Sequence, residues 1–301
     1  MLSILIPIYN FKVVRLVQDL HQQCETCAIP YEIIGFDDGS TAEFKAINKE
    51  IGLLNNVIYK ELPQNLGRAK IRNHLAKSAN YQYLLFMDCD SKVRDNQYIK
   101  NYIQHLQPTT LLYGGRIYAA SPPNNKGLKL HYFFGKHREE ILTEERKLKP
   151  YYSFMTNNFL MPKALFLDIQ FEESIEGYGH EDTLFGIALK QQKIPILHLN
   201  NPLEHIGLEE WNVFLKKQRT AIKNLYVLHQ QEPLLETKLL TTFVACKKWK
   251  MAGLVLLVLQ FLKPIIQQQL KAEQPNLFFL DLFKLHHLLS LDKYGIDHLP
   301  S

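Results

Sequence analysis

Hydrophobic and polar positions along the first part of the chain switch repeatedly between a period of two and a period near 3.6. Ser3–Ile8 is a short run rich in β-branched residues. Phe11–Gln23 then places Val13, Val14, Leu16, Val17 and Leu20 at helical spacing. The exchange recurs: Tyr31–Phe36 predicts a strand, Thr41–Ile51 a helix, Asn56–Glu61 a strand, Gly67–Ala79 a helix and Tyr81–Met87 a strand. This alternation predicts an α/β fold with a mostly parallel central sheet and flanking helices. Right-handed crossovers put the carboxyl ends of parallel strands on one edge. Asn10, Asp38, Asn65 and Asp88 are therefore expected to converge there.

The second half is less regular. Leu111–Tyr118, Phe154–Met161 and Ile194–Leu199 predict further strands, with a loop at Ser121–Gly127 and a basic, aromatic, partly helical stretch at Gly127–Lys149. Glu181–Gln192 and Glu209–His229 carry helical periodicity. From Pro233 onward the chain becomes a succession of Leu-rich helical segments. The expected organisation is a domain over 1–232, with halves 1–110 and 111–232, and a C-terminal helical extension over 233–301.

Composition narrows the class only a little. Of 301 residues, 46% are hydrophobic and 22% charged, which suits a globular protein with a substantial core. The net charge of +5 comes without a dense Lys/Arg arm, so nucleic acid is not an expected partner. A mild positive balance suits anionic small molecules or a membrane surface. Cys24, Cys27, Cys89 and Cys246 are too scattered for a disulfide framework. Cys24-Glu-Thr-Cys27 closes a helical pattern without a second ligand pair and reads as structural, in a reducing compartment. Leu2–Ile8 has no basic segment before it and no cleavage site after it, so it reads as a strand and not a signal peptide. The longest apolar run, Met251–Leu259, is shorter than the ~20 residues of a spanning helix.

The candidate chemistry gathers at the expected strand ends. Asp88-Cys89-Asp90 places two carboxylates one residue apart after a buried strand, where open α/β sheets bind ligands. Such crowded negative charge favours a hard divalent cation. In Asp37-Asp38-Gly39-Ser40, Gly39 and Ser40 are explained by a turn and a helix cap, but the two acids are not. A carboxylate there can accept hydrogen bonds from a ribose hydroxyl or a base imide. Asn65-Leu66-Gly67-Arg68-Ala69-Lys70-Ile71-Arg72 brings basic side chains to a loop–helix junction, where an arginine suits a diphosphate. Glu176-Gly177-Tyr178-Gly179-His180-Glu181-Asp182 precedes a helix. One acid of this group is explained by the helix dipole, and the other is placed to act as a general base. His205 is expected in a loop after a strand, where it becomes a metal ligand only beside a carboxylate that already binds one.

In this order and spacing, these segments resemble the family 2 glycosyltransferases with the A-type, Rossmann-like nucleotide-diphospho-sugar fold. The matching stretches are Ser3–Asn10, Asp37–Ser40, Asn65–Asn73, Asp88–Asp90 and Gly179–Asp182, spanning residues 1 to about 230. The resemblance implies a nucleotide-binding half over 1–110 and an acceptor half over 111–232. It further implies that Pro7, Tyr9, Asp38, Asn65, Arg72 and Asp88 serve the nucleotide and donor. Asp88, Asp90 and His205 would hold Mn2+ or Mg2+, Asp90 being the surer ligand. Asp182 would be the catalytic base with Glu181 beside it, and Asn157, Asn158 and Gly179 would line the sugar and acceptor site. The implied reaction is inverting transfer of one sugar from a nucleotide-diphosphate sugar, UDP by default, to a glycan or lipid-linked acceptor in polysaccharide biosynthesis.

The sequence departs from the resemblance in two respects. The Gln-x-x-Arg-Trp motif of processive synthases is missing, which favours single-sugar addition, and residues after Pro233 match no family motif. Lys247-Lys-Trp-Lys250 followed by Met251–Leu262 joins a basic cluster and a tryptophan to an apolar block. Two roles stay open for it: contact with a membrane surface, or a helical subdomain or homodimer face. The expected location is accordingly cytoplasmic, with a peripheral place on the inner face of the plasma membrane under the first role. Two rival functions are a sugar-phosphate nucleotidyltransferase and a non-catalytic glycan- or nucleotide-binding scaffold. The first lacks its glycine-rich loop after strand one, where Ile8-Tyr-Asn-Phe-Lys12 stands. The second leaves the intact acidic pairs unexplained.

Overall fold

The computed structural model describes residues 1–174, 177–230, 235 and 237–296. Glu176 and the expected domain boundary at 232/233 lie outside them. The first elements are β1 (Leu2–Ile8), α1 (Val14–Cys27), β2 (Tyr31–Asp37), α2 (Ala42–Asn48), β3 (Val57–Glu61), α3 (Arg68–Ser78) and β4 (Tyr83–Met87). There follow β5 (Ser91–Lys92), α4 (Tyr98–Ile103), β6 (Leu111–Tyr113), β7 (Arg116–Ile117), α5 (Lys129–Phe134) and α6 (Thr143–Leu148). Next come β8 (Asn158–Pro162), α7 (Lys163–Ile169), α8 (Glu181–Gln191), β9 (Ile196–His198) and β10 (Leu203–His205). The chain continues through α9 (Trp211–His229), α10 (Lys238–Lys248), α11 (Ala252–Leu270) and α12 (Leu277–Tyr294).

These elements form two compact units. Met1–Ala119, Glu139–Ile175 and Glu181–Gly207 make the first; Ala120–Arg138, Glu176–His180 and Leu208–Ser301 make the second. The helical unit thus includes the chain from Leu208, so α9 belongs with the C-terminal helices and not with the sheet as the 1–232 division expects.

In the first unit a seven-stranded sheet runs in the order β3-β2-β1-β4-β8-β6-β9. β3, β2, β1 and β4 are parallel, and β8 alone runs antiparallel to its neighbours. The sheet is covered on both faces, as a parallel sheet requires. Ile4, Ile6, Leu85 and Met87 point into one core with Leu16, Val17 and Leu20 of α1. Leu5, Leu84 and Phe86 point into the other, with Ile71 and Leu75 of α3 and Phe185 and Leu189 of α8. A period-two pattern on a two-sided core therefore gives continuous apolar strands, as β1 and β4 show.

Three expectations need correction. Leu111–Tyr118 is not one strand. It breaks at Gly114-Gly115, where a Cβ on Gly114 would meet the Asn201 carbonyl at 2.3 Å and Gly115 adopts φ +93°. Beyond the break, β7 joins a second, three-stranded sheet in the order β5-β10-β7. His205 is not in a loop but at the end of β10, opposite Ser91 of β5. Finally, the helix that carries the apolar run Met251–Leu259 continues well beyond it. Among the described residues one helix, Ala252–Leu270, is long and apolar enough to cross a membrane by length and composition. Gln260 and Lys263 dilute its hydropathy without stopping the helix.

Candidate active site

The carboxyl edge of the parallel strands assembles as the topology requires. Beyond β1, Asn10 turns at φ 47°, a conformation asparagine tolerates. Its amide donates to Ser40 Oγ at 2.8 Å, and its Oδ1 accepts from the Thr41 amide at 2.9 Å. Asp37 Oδ1 accepts from the Ser40 amide at 2.7 Å, which closes the turn after β2. A Cβ on Gly39 would lie 2.9 Å from the Asn65 backbone nitrogen, so only glycine lets the two loops approach so closely.

Asp38 is placed differently from the expectation of a base or ribose ligand. It is buried, and its two oxygens accept from the Leu66 and Gly67 amides at 2.7 and 3.1 Å. Burial raises its pKa while these amides oppose the rise. Asn65 Nδ2 donates to the Asp38 carbonyl at 2.9 Å. Both residues therefore clamp the loop that leads into α3. Pro7 lies on β1 beyond Leu5↔Phe86, where pairing with β4 ends, so its missing amide breaks no ladder bond. Tyr9 is 53% exposed at the same edge, an open ring able to stack on a base.

The two aspartates after β4 differ sharply. Asp88 Oδ1 accepts from Arg72 at 2.5 Å and Oδ2 from Arg116 at 3.0 Å, and Arg68 lies 3.9 Å away. The Asp88 amide is fixed by the Asn157 carbonyl at 3.2 Å. The resemblance implies that Asp88 shares the metal with Asp90; here each of its oxygens accepts from a guanidinium group. Asp90 instead faces His205, with Oδ1 3.3 Å from Nδ1. That oxygen is buried and accepts no aligned hydrogen bond among the described residues. Burial alone would raise the Asp90 pKa, but His205, Arg116 and Arg68 hold it below the usual carboxylate range. A Cβ at Gly207 would meet Asp90 Oδ2 at 2.5 Å, so Gly207 preserves this placement. Between the two, the Cys89 thiol is pushed up to about 12 by burial and then by Asp90, which keeps it unreactive.

No group of three or more His, Cys, Asp or Glu side chains is arranged for a metal among the described residues. The Asp90–His205 pair nevertheless fits a divalent ion, because Mg2+-type ions are commonly held by one or two protein ligands, with waters and substrate phosphates completing the shell. Asp90 Oδ1, buried and accepting no aligned hydrogen bond among the described residues, is the atom that such an ion would satisfy.

Glu181 and Asp182 open α8. Arg68 Nε contacts Glu181 Oε1 at 3.0 Å, so one guanidinium reaches both this pair and Asp88. Asp182 Oδ1 accepts from the Thr183 amide at 2.9 Å. Burial, and after it the charge of Glu181, pushes the Asp182 carboxyl up to about 6. A Cβ at Gly186 would stand 2.9 Å from the Tyr151 carbonyl, so glycine lets α8 seat against that segment.

Three expected residues are placed in structural roles. Asn158 Nδ2 donates to the Gly115 and Asn201 carbonyls, while Oδ1 accepts from Tyr98 and Tyr102 at 2.6 and 2.8 Å. Its polar capacity is thus used inside the fold, not on a sugar. Asn157 is buried beside Tyr113 and contributes its carbonyl to Asp88. Gly179, in the helical unit, has φ +101°, and a Cβ there would meet that of Ala221 at 2.6 Å, so its role is close packing on α9.

Arg116 and Glu139 complete the Asp88 side of the site. Arg116 bridges Asp88 and Glu139, 3.0 Å from each, and Tyr118 donates its hydroxyl to Glu139. Their only sequence signal was Gly114-Gly115 just ahead of Arg116, which marks a chain reversal but not its purpose.

An open, largely parallel α/β sheet with an acidic edge after its first strands defines a Rossmann-like nucleotide-binding class. The chain belongs to glycosyl transferase family 2, whose family model matches residues 3–167, more than half of it. An uncharacterized glycosyltransferase of Haemophilus influenzae is 24% identical over 260 residues, covering 81% of this chain and 94% of that protein. The fold also resembles the mannosyltransferase PcManGT of Pyrobaculum calidifontis in complex with GDP-Man and Mn2+. There the TM-score is 0.59 at 9% identity, over 99% of this chain and 88% of that one. A fragment of S. aureus TarS in complex with UDP-GlcNAc gives 0.52 at 16% identity, over 98% and 92%. Against a longer TarS structure, with a TM-score of 0.50 and 19% identity, the match covers 75% of this chain but 43% of that one.

Proposed function

We propose that this chain is a divalent-metal-dependent, inverting glycosyltransferase that moves one sugar from a nucleoside-diphosphate sugar to an acceptor hydroxyl. The observation that carries this reading is the opposite treatment of two carboxylates in one unit. Asp90 is held ionised beside His205, whereas Asp182 is pushed up to about 6. Environments that drive two acids apart in this way separate an electrostatic anchor from a proton acceptor. The structures with GDP-Man or UDP-GlcNAc, and a glucosyl-3-phosphoglycerate synthase from Mycobacterium tuberculosis with Mn2+ and UDP, support the donor class and the metal. UDP is the preferred carrier on that basis.

In this mechanism Tyr9 stacks on the base, and Asp90 and His205 would hold Mn2+ or Mg2+. Bound there, the ion supplies charge neutralisation for the departing nucleoside diphosphate. Asp182 accepts the acceptor's hydroxyl proton as that oxygen bonds to the anomeric carbon from the face opposite the leaving phosphate. The bond from the anomeric carbon to the phosphate oxygen breaks in the same displacement, so configuration inverts and no glycosyl-enzyme forms. Arg68, bound to Glu181 and close to Asp88, positions the start of α8 and hence the base. A pKa near 6 leaves Asp182 ionised at neutral pH yet basic enough to take a proton.

Asp182→Asn tests this. Transfer should fall by about 10²–10⁴, the usual contribution of a positioned base, while calorimetry shows unchanged binding of the nucleoside diphosphate. Near-normal transfer by that variant would remove Asp182 as the base. A thermal-shift panel of UDP- and GDP-sugars with Mn2+ would identify the donor, since stabilisation follows affinity and concentration.

A further inference from the structure

We infer that the outward face of α11, with the lysines before it, is a docking surface for a membrane containing anionic phospholipid. The helix buries Leu256, Leu259, Ile266 and Leu270 within the helical unit. Its other side is equally apolar. Leu254, Leu257, Val258, Phe261 and Ile265 are 60, 53, 47, 77 and 49% exposed. At helical spacing these five form one continuous stripe. Scattered exposed apolar residues need no explanation, but a contiguous stripe along a helix marks an interaction surface. Only 22% of the most apolar stretch of this helix is buried, which sets it apart from an ordinary core helix.

The charge beside the stripe indicates what covers it. Residues 237–272 carry six lysines and no Asp or Glu. Lys247, Lys248 and Lys250 cluster immediately before the helix, around Trp249, which is 73% exposed. Lys247 pairs with Asp292 at 2.7 Å, so Lys248 and Lys250 are the cations left to this end of the surface. An exposed apolar stripe, an exposed tryptophan and unbalanced lysines match an acyl–headgroup boundary bearing negative lipids. A surface-lying helix fits better than a spanning one. Lys263, Pro264 and Gln267–Gln269 interrupt the last two turns, and a buried seam against α12 already occupies the opposite face. The inference goes beyond the proposed reaction and does not depend on it.

The test uses the full chain with vesicles of phosphatidylcholine alone, or with about a third phosphatidylglycerol. The protein should co-sediment with the anionic vesicles, release as salt rises, and stay in solution with the neutral ones. Leu257→Glu combined with Phe261→Glu, and separately Lys248→Gln combined with Lys250→Gln, should each lower vesicle affinity at least about tenfold. Unchanged circular dichroism would show that these exposed substitutions leave the fold intact. Failure of the wild type to bind anionic vesicles would overturn the inference, and so would equal binding to both vesicle types. Unchanged binding by either double variant would do the same. If lipid-free sedimentation velocity gave a dimer that Phe261→Glu converts to monomer while vesicle binding persists, the stripe would be a dimer face instead.

Discussion

Asp88 and Asp90 follow the same strand one residue apart and meet different surroundings. Asp88 turns toward α3 and β7, where Arg72 and Arg116 each take one of its oxygens. Asp90 turns toward the small second sheet, where the antiparallel pairing of β10 with β5 brings in His205. The strand's period of two fixes neither arrangement. What separates them is bonding: two guanidinium groups bond directly to Asp88, whereas Asp90 faces the His205 ring and feels the charges of Arg116 and Arg68 without such a bond. Each Asp88 oxygen already accepts from a guanidinium group, whereas Asp90 Oδ1 accepts no aligned hydrogen bond among the described residues. On the proposed mechanism the Asp-x-Asp motif is two devices, a structural tie at Asp88 and a metal anchor at Asp90.

Substituting each aspartate in turn tests this division most severely. Asp88→Ala should destabilise the fold by about 3–5 kcal/mol, the usual result of stranding a buried guanidinium, because Arg72 is only 2% exposed. The loss would appear as a lower denaturation midpoint without metal or nucleotide. Asp90→Ala should leave that midpoint within about 1 kcal/mol, because Arg116 keeps Asp88 and Glu139 as bonded partners. Its effect should fall on metal-dependent donor binding, by about a hundredfold or more, since ligand loss exceeds the 10–100-fold cost of outer-shell changes. Were Asp88→Ala stable and Asp90→Ala unfolded, the two roles would be exchanged.

Much of this architecture was legible in the chain. β1 to β4 and α1 to α3 follow from runs that switch period cleanly, and Asn10, Asp38, Asn65 and Asp88 converge because parallel crossovers leave no other place for them. Local pattern could not show how the polar atoms are shared out. Whether Asp38 faces a ligand or clamps Leu66 and Gly67 depends on a loop 27 residues away. Whether Asn158 meets a sugar or Tyr98, Tyr102, Gly115 and Asn201 depends on contacts from three other segments. Arg116 carries no local signal, because an arginine beyond a Gly-Gly break resembles any surface cation until its acceptors, Asp88 and Glu139, are in place. The Leu254–Ile265 stripe was hidden differently, since apolar periodicity marks two faces of α11 and sequence alone does not say which is covered.

A smaller effect sharpens the contrast between Asp90 and the base. The folded-state pKa of Asp182 is raised to about 6 from an ordinary value of 3.8. Between those values the native state holds more protons at this site than the unfolded chain does. By linkage, the stability this carboxyl allows declines as pH rises from about 4 to about 6 and stays reduced above that. Asn cannot ionise, so Asp182→Asn should be more stable than wild type at pH 8, by about 1–3 kcal/mol for a shift of this size. Near pH 4 the two proteins should converge. Asp90, shifted in the opposite direction, offers no such gain on neutralisation. Denaturant titrations of wild type and Asp182→Asn at both pH values would measure the difference. An equal gap at pH 4 and pH 8 would show that Asp182 carries no ionisation strain, and the proton affinity assigned to the base would have to come from another group.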